Sequence, residues 1–251
     1  MQRGRAFAAR PGNIACVNIS AGLANESDTA MGDTGSKLVV AVDGPSGSGK
    51  SSASRGAATA LGLRYLDTGA TYRALTWWMI EHGIDITDPA AVAARLDQPR
   101  IEVGTDPEAP WTTVDGRDVS QAIRTREVTG AVSAVASVPE VRAHLIAMQR
   151  DIIAQAGAGI VAEGRDIGTV VAPDAAVKVF LTAGAAARAV RRAAQANWSQ
   201  VTTRSDQDRR DSLDAAQSGK AADAVEIDST ALSLDEVIDM IVRMAQCLSK
   251  S

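Results

Sequence analysis

Short apolar runs alternate along the chain with longer segments of helical periodicity. The run from Leu38 to Val42 is continuous, which is typical of a strand buried on both faces of a parallel sheet. Further strands are predicted at 64–66, 160–162, 177–181 and 224–227. Because the strands alternate with helical segments, the pattern predicts an α/β fold with a parallel sheet and right-handed crossovers.

Helix signals mark the segments between these strands. Helices are predicted at 50–61, 70–81, 126–136, 139–156, 185–196 and 233–248. A further helix is predicted to begin at 87–89. Gly62 suits the left-handed position that follows a helix. Asp88 is a candidate N-cap before Pro89, and Ser233 and Glu236 have the spacing of a capping box.

Residues 100–119 interrupt the pattern with short strands at 101–103, 111–114 and 117–119. Asp115-Gly116 is a two-residue hairpin signal. We therefore expect a small antiparallel piece within an insert at about 82–125.

The first 36 residues show no periodicity and are rich in Ala, Gly, Ser, Asn and Asp. That composition predicts a disordered extension over 1–36. The folded domain is expected over 37–248.

Composition narrows the classes of function. Of 251 residues, 45% are hydrophobic and 22% are charged, which is ordinary for a soluble globular protein. The net charge of −4 argues against broad nucleic-acid binding, which needs a basic field. No apolar run approaches the roughly 18 residues of a membrane span, and two cysteines, Cys16 and Cys247, exclude a disulfide framework. We expect a cytoplasmic monomer that handles small molecules, without nucleic-acid or membrane partners.

The segment Gly44–Ser51 reads G-x-x-x-x-G-K-S between a predicted strand and a predicted helix. Its glycines allow consecutive backbone N–H groups to point at phosphate oxygens, and the helix N-terminus favours negative charge. In such a loop Lys50 reaches the β- and γ-phosphates and Ser51 ligates Mg²⁺. The predicted ATP-binding residues in this loop are Gly44, Pro45, Ser46, Gly47, Ser48, Gly49, Lys50, Ser51 and Ser52.

Two further clusters of polar residues, at 66–73 and 163–168, follow predicted strands. Both should lie at the same sheet edge as this loop. In the first, Arg73 is a candidate clamp on an acceptor phosphate, since guanidinium binds phosphate through two parallel hydrogen bonds. In the second, Glu163 is placed to hold Mg²⁺ through water. Beside it, Arg165 can hold phosphate and Asp166 can accept from a base amino group.

A polar stretch at 197–208 is flanked by two groups of arginines. The first group shares one helix face by its i, i+3, i+4 spacing. The groups are Arg188, Arg191 and Arg192, then Arg204, Arg209 and Arg210. We interpret about 184–218 as a lid that brings cations onto a transferring phosphoryl group and excludes water.

These motifs occur in order together with Leu-Asp-Thr-Gly-Ala-x-Tyr-Arg, Glu-Gly-Arg-Asp-Ile-Gly-Thr-Val-Val and Ala-Asp-Ala-x-x-Ile-Asp-Ser-Thr. Over roughly 37–248 the chain resembles the bacterial cytidylate kinases. The resemblance implies a three-layer P-loop kinase core with a central parallel sheet, a nucleotide-monophosphate-binding insert and a lid. It implies transfer of the γ-phosphoryl group of ATP to CMP or dCMP, giving CDP or dCDP, with Mg²⁺ as cofactor, in pyrimidine metabolism.

The resemblance also assigns residues. It implies that Lys50, Arg165, Arg191 and Arg210 are catalytic and that Arg191 also binds ATP. The implied CMP-binding residues are Thr68, Arg73 and Arg165 for the acceptor, Ser133, Arg142 and Asp166 for cytosine, and Arg210 and Asp214 from the lid side. The implied metal ligands are Ser51 and, through water, Glu163.

One departure from the family pattern lies in the lid. Gln217 stands where the family usually has an arginine, and the shorter stretch that follows lacks a Pro-Leu pair. Lys220 is a candidate replacement for the missing cation. Two alternatives therefore accompany the kinase hypothesis, a nucleotide-binding sensor with a degraded lid and another small-molecule P-loop kinase, such as a sugar or shikimate kinase. The Arg73, Arg142 and Arg165 set argues against the second.

Overall fold

A computed structural model of the chain describes residues 37–196 and 219–248. Its strands in chain order are β1 (Leu38–Asp43), β2 (Arg64–Asp67), β3 (Ile101–Val103), β4 (Thr112–Val114), β5 (Arg117–Asp118), β6 (Gly159–Gly164), β7 (Val177–Thr182) and β8 (Val225–Asp228). Its α-helices are α1 (Lys50–Leu61), α2 (Thr68–Glu81), α3 (Pro89–Ala93), α4 (Arg126–Ala136), α5 (Pro139–Ala154), α6 (Ala185–Ala196) and α7 (Leu234–Leu248). Side chains are described up to Arg191 in α6.

Five strands form one parallel sheet in the order β2-β6-β1-β7-β8. The central strand β1 is buried on both faces. Val40 and Val42 pack on one face in a cluster with side chains of α1 and α7, whereas Ala41 packs on the other face with Leu66 and Ile160. The predicted α/β fold with a parallel sheet is confirmed, and its carboxyl edge gathers the loops after β1, β2 and β6.

Local signals account for most helix ends. The Asp88 side chain accepts from the Ala90 N–H, and Pro89 is the first helical residue. Ser233 and Glu236 form the capping box, with the Glu236 carboxylate accepting from the Ser233 N–H at 2.8 Å. Two predicted ends were wrong. Helix α2 begins at Thr68, because Asp67 accepts from the Ala70 N–H and caps it, and α5 ends at Ala154.

The insert contains the antiparallel sheet β3-β4-β5, as predicted. Its hairpin turn has positive φ at both central residues, 52° at Asp115 and 77° at Gly116, as a two-residue type I′ turn requires. A loop of the insert also contacts the core. The Tyr65 N–H donates to the Thr105 carbonyl at 2.9 Å, and Arg55 Nε donates to the Pro107 carbonyl at 2.8 Å.

Several predictions lie outside the described residues. They are the disordered extension at 1–36 and, within the lid, Arg204, Arg209, Arg210, Asp214 and Gln217. Within 37–196 and 219–248, no single helix has the length and hydropathy to cross a membrane, and only α4 and α5 taken together, at 102° to each other, reach that length.

Gly56 offers a test of how α1 packs on α7. A Cβ at residue 56 would lie 2.2 Å from Ile238 Cδ1. Alanine normally stabilises a helix interior by about 1 kcal/mol relative to glycine, but overpacking of this kind costs about 1–3 kcal/mol. We expect Gly56→Ala to lower the free energy of unfolding in urea. The double variant Gly56→Ala/Ile238→Ala should destabilise less than the sum of the two single changes, whereas strict additivity would contradict the packing.

Candidate active site

The loop between β1 and α1 has the conformation of a phosphate cradle. A Cβ on Gly44 would lie 2.1 Å from the Leu181 carbonyl oxygen, so only glycine allows this approach of β1 and β7. Gly49 adopts the left-handed conformation, with φ of 96°, at the start of α1. The Lys50 ammonium folds back over the loop and donates to the Pro45 carbonyl at 2.9 Å.

A cavity of about 710 Å³ joins this loop to the two clusters that follow β2 and β6. The cavity brings the predicted ATP-binding and CMP-binding residues together. The predicted residues that line it are Ser46, Gly47, Ser48, Gly49, Lys50, Ser51, Ser52, Thr68, Arg73, Ser133, Arg142, Glu163, Arg165, Asp166 and Arg191. Gly44 and Pro45 contribute their carbonyl groups, which accept from Arg165 and Lys50.

The Glu163 carboxylate lies buried in the floor of the cavity, with 3% of its surface exposed. Its Oε1 accepts from the Tyr65 hydroxyl at 2.6 Å, and the Ser51 hydroxyl also bonds to it. Burial and the nearby Asp67 raise the pKa of Glu163, while Lys50 lowers it. One carboxylate and one hydroxyl beside a phosphate loop fit Mg²⁺, which takes oxygen ligands and retains several waters.

On the acceptor side, Arg142 and Asp166 form an ion pair at the cavity wall. The pair presents a row of donors beside an acceptor, which suits the edge of a planar base. Ser133 lines the same cavity and is 7% exposed. Arg73 also lines the cavity, and its Nε is buried with no hydrogen-bond partner in the described part of the chain. Burial lowers the pKa of Arg73, while the nearby Asp67 opposes that shift.

Thr68 and Arg191, like Lys50 and Arg165, donate hydrogen bonds to backbone carbonyl groups of the protein. The Thr68 hydroxyl donates to the Glu163 carbonyl at 2.7 Å, which leaves only its lone pairs for a ligand. Arg191 donates to the Ser48 carbonyl at 3.3 Å and, through Nη2, to the Ser229 carbonyl at 2.7 Å. Arg191 therefore links the phosphate loop to the segment that follows β8, and it also lines the cavity.

The ammonium of Lys220, the candidate replacement for the arginine missing from the lid, pairs with Glu226 on β8 at 3.0 Å. Lys220 is not among the described residues that line the cavity. Because Gln217 and the rest of the lid up to residue 218 lie outside the described residues, the role of Lys220 as a replacement cation stays a prediction.

Sequence reasoning missed Arg124 and Tyr72, which line the cavity, and Tyr65, which does not line it but bonds Glu163 at 2.6 Å. Arg124 pairs with Asp67 at 3.2 Å, and Tyr72 lies on the acceptor side. Burial raises the pKa of Tyr72 to about 12, so its hydroxyl remains a donor at neutral pH. No spacing in the sequence links residues 65 and 163, because the pairing of β2 with β6 brings them together.

Comparison with known proteins agrees with the motifs. A family model described as cytidylate kinase matches residues 40–247. The chain is 55% identical over 218 residues to the cytidylate kinase of Streptomyces coelicolor, covering 85% of this chain and 94% of that protein. The cytidylate kinases of Streptomyces avermitilis and Nocardia farcinica are 53% and 51% identical, covering 83% and 82% of this chain and 93% of each relative.

The chain belongs to the cytidylate kinase family. It is therefore an enzyme.

The Lys50 ammonium lies in surroundings that disfavour its positive charge. Burial, together with the positive charge of Arg165, lowers the pKa of Lys50 to about 7, although Glu163 and Asp43 oppose the shift. At pH 8 a large share of Lys50 is then neutral. A triphosphate placed beside the ammonium favours the charged form and raises the pKa.

We therefore expect this cytidylate kinase to take up protons when it binds ATP at pH 8. Titration calorimetry in two buffers of different ionisation enthalpy measures the uptake. The uptake should be smaller at pH 6, where Lys50 is already protonated, and it should vanish in Lys50→Ala. A binding enthalpy independent of buffer at pH 8 would contradict the lowered pKa.

Proposed function

We propose that the protein transfers the γ-phosphoryl group of ATP to CMP or dCMP, giving CDP or dCDP, with Mg²⁺. The observation that carries the proposal is the single cavity in which a phosphate loop faces the Arg142–Asp166 pair. The names of the relatives support cytidine monophosphate as the acceptor. We also infer that the enzyme acts as a cytoplasmic monomer, without nucleic-acid or membrane partners.

On the donor side, the backbone N–H groups of the loop and Lys50 would hold the β- and γ-phosphates. Arg191 keeps the loop in shape through Ser48 and Ser229. Ser51 and, through water, Glu163 would hold Mg²⁺, which when bound neutralises charge on the phosphate oxygens.

On the acceptor side, the cytosine amino group would donate to Asp166, while its O2 and N3 would accept from Arg142. Arg73 and Arg165 would clamp the acceptor phosphate. This phosphate is already an anion, so the reaction needs no strong base. Catalysis then consists of positioning and charge stabilisation, to which Arg210 and Asp214 of the lid are predicted to contribute.

A nucleotide-binding sensor is the second candidate. It is favoured by Gln217 at the usual arginine position and by the ion pair that holds Lys220 at Glu226. A sugar or shikimate kinase is disfavoured, because the Arg142–Asp166 pair suits a base and the half-buried Arg73 suits a phosphate.

The assay that tests the proposal couples ADP release to a spectroscopic signal, with ATP, Mg²⁺ and each of CMP, dCMP, UMP, AMP, GMP and shikimate. We expect turnover with CMP and dCMP far above the others, and none in Lys50→Ala, which controls for contaminating kinases. Binding of CMP and ATP without turnover of any acceptor would contradict catalysis and support the sensor.

Asp166→Ala tests how the base is read. Losing the acceptor for the cytosine amino group should lower the ratio of kcat/KM for CMP over UMP by about ten- to a hundredfold. Asp174→Ala, an exposed residue beyond the same turn, is the matched control and should leave the ratio unchanged. An undiminished ratio in Asp166→Ala would remove this carboxylate from base recognition.

A further inference from the structure

Asp43, the last residue of β1, is a buried carboxylate that the mechanism above does not use. Only 4% of its surface is exposed, and it is absent from the residues lining the cavity. Its Oδ1 accepts from the Ile167 N–H and its Oδ2 from the Gly168 N–H, both at 2.8 Å. Both carboxylate oxygens thus bind the backbone of the turn that follows β6, more than 120 residues away along the chain.

The two amides begin a π-helical turn, Ile167–Val171, that directly follows Asp166. The first N–H groups of a helical turn lack partners within it, so Asp43 caps the turn from a different strand. The next residue, Gly44, holds the other side, since its carbonyl accepts from Arg165 at 3.1 Å. Two consecutive residues of the donor loop's strand therefore fix the position of Arg165 and Asp166.

We infer that Asp43 is a positioning residue for the acceptor nucleotide: it holds the turn that directs Asp166 at the base and couples that turn to the phosphate loop. The inference rests on the proposed function and extends it to a residue that touches neither substrate.

The electrostatics around Asp43 agree with a structural bond to these amides. Burial and the nearby Asp166 raise the pKa of Asp43, and the two amides and Lys50 oppose that rise. An apolar side chain here would leave two buried N–H groups without partners, which is unfavourable. The Asp43 carboxylate therefore satisfies both N–H groups, which allows the turn to remain buried.

Asp43→Asn is the sharpest variant, because asparagine keeps the volume but presents an NH₂ group to one of the two N–H donors. Loss of a hydrogen bond to a charged group corresponds to about ten- to a hundredfold in an equilibrium constant. We expect the Kd for CMP to rise about tenfold or more and the CMP-over-UMP preference to fall. The Kd of a fluorescent ATP analogue should stay within about threefold. Unchanged CMP affinity, or equal losses of CMP and ATP affinity, would overturn the inference.

Two comparisons separate positioning from loss of stability. Asp43→Asn and Asp166→Ala should be non-additive in base preference, since both act through the same contact, and additivity would overturn the inference. Val179→Ala, at a 1% exposed residue paired with Val42, should lower the melting temperature and leave base preference intact. A loss of preference in Val179→Ala equal to that in Asp43→Asn would also overturn it.

A measurement on the unsubstituted protein covers the case in which Asp43→Asn does not fold. Hydrogen exchange should show the amides of Ile167 and Gly168 protected before any nucleotide is added, because Asp43 already binds them. Exchange at unprotected rates would overturn the inference. All affinities here are binding constants, so a protein that binds CMP without turning it over would contradict the proposed kinase activity and still test Asp43.

Discussion

Strand β1 lies between β6 and β7, and its hydrogen bonds to both neighbours fix the phosphate loop relative to the cluster that follows β6. The phosphate loop leaves the carboxyl end of β1 at a glycine whose backbone lies against Leu181 on one side. On the other side, Glu163, the penultimate residue of β6, lies beside Ser51 and Lys50. A shift of either register would separate the loop from the carboxylate and arginine that complete the site.

The cavity contains several charged side chains that are partly or fully removed from water. Lys50, Arg73, Glu163 and Asp67 share it, and burial opposes the charged form of Lys50, Arg73 and Glu163. Their mutual contacts only partly offset the loss of solvation. The proposed nucleotide would supply negative charge beside Lys50 and Arg73, and the proposed Mg²⁺ would supply positive charge beside Glu163. The arrangement is thus better suited to the bound state than to the free one, as expected of a preorganised site.

Features encoded by neighbouring residues were predictable from the sequence. Glycine after α1, Asp88 before Pro89, the Ser233–Glu236 box and the Asp115-Gly116 turn each act within a few residues, and all are confirmed. The bonds that could not be predicted join distant segments. Tyr65 reaches Glu163 across 98 positions, and Asp43 reaches Ile167 across 124. For the same reason the π-helical turn was missed, because its cap lies on another strand.

The contact between the insert and β2 has a consequence for the behaviour of the protein at high concentration. An outermost strand offers unpaired backbone groups that can recruit a strand from another molecule and start aggregation. Here the Thr105 carbonyl occupies the Tyr65 N–H, and Arg55 fixes the covering loop through Pro107. At the opposite margin, β8 has four residues and bears the charged Lys220–Glu226 pair. Both edge strands are thereby protected against pairing with a strand of another molecule. A loop of the insert covers β2, whereas β8 is short and carries charge.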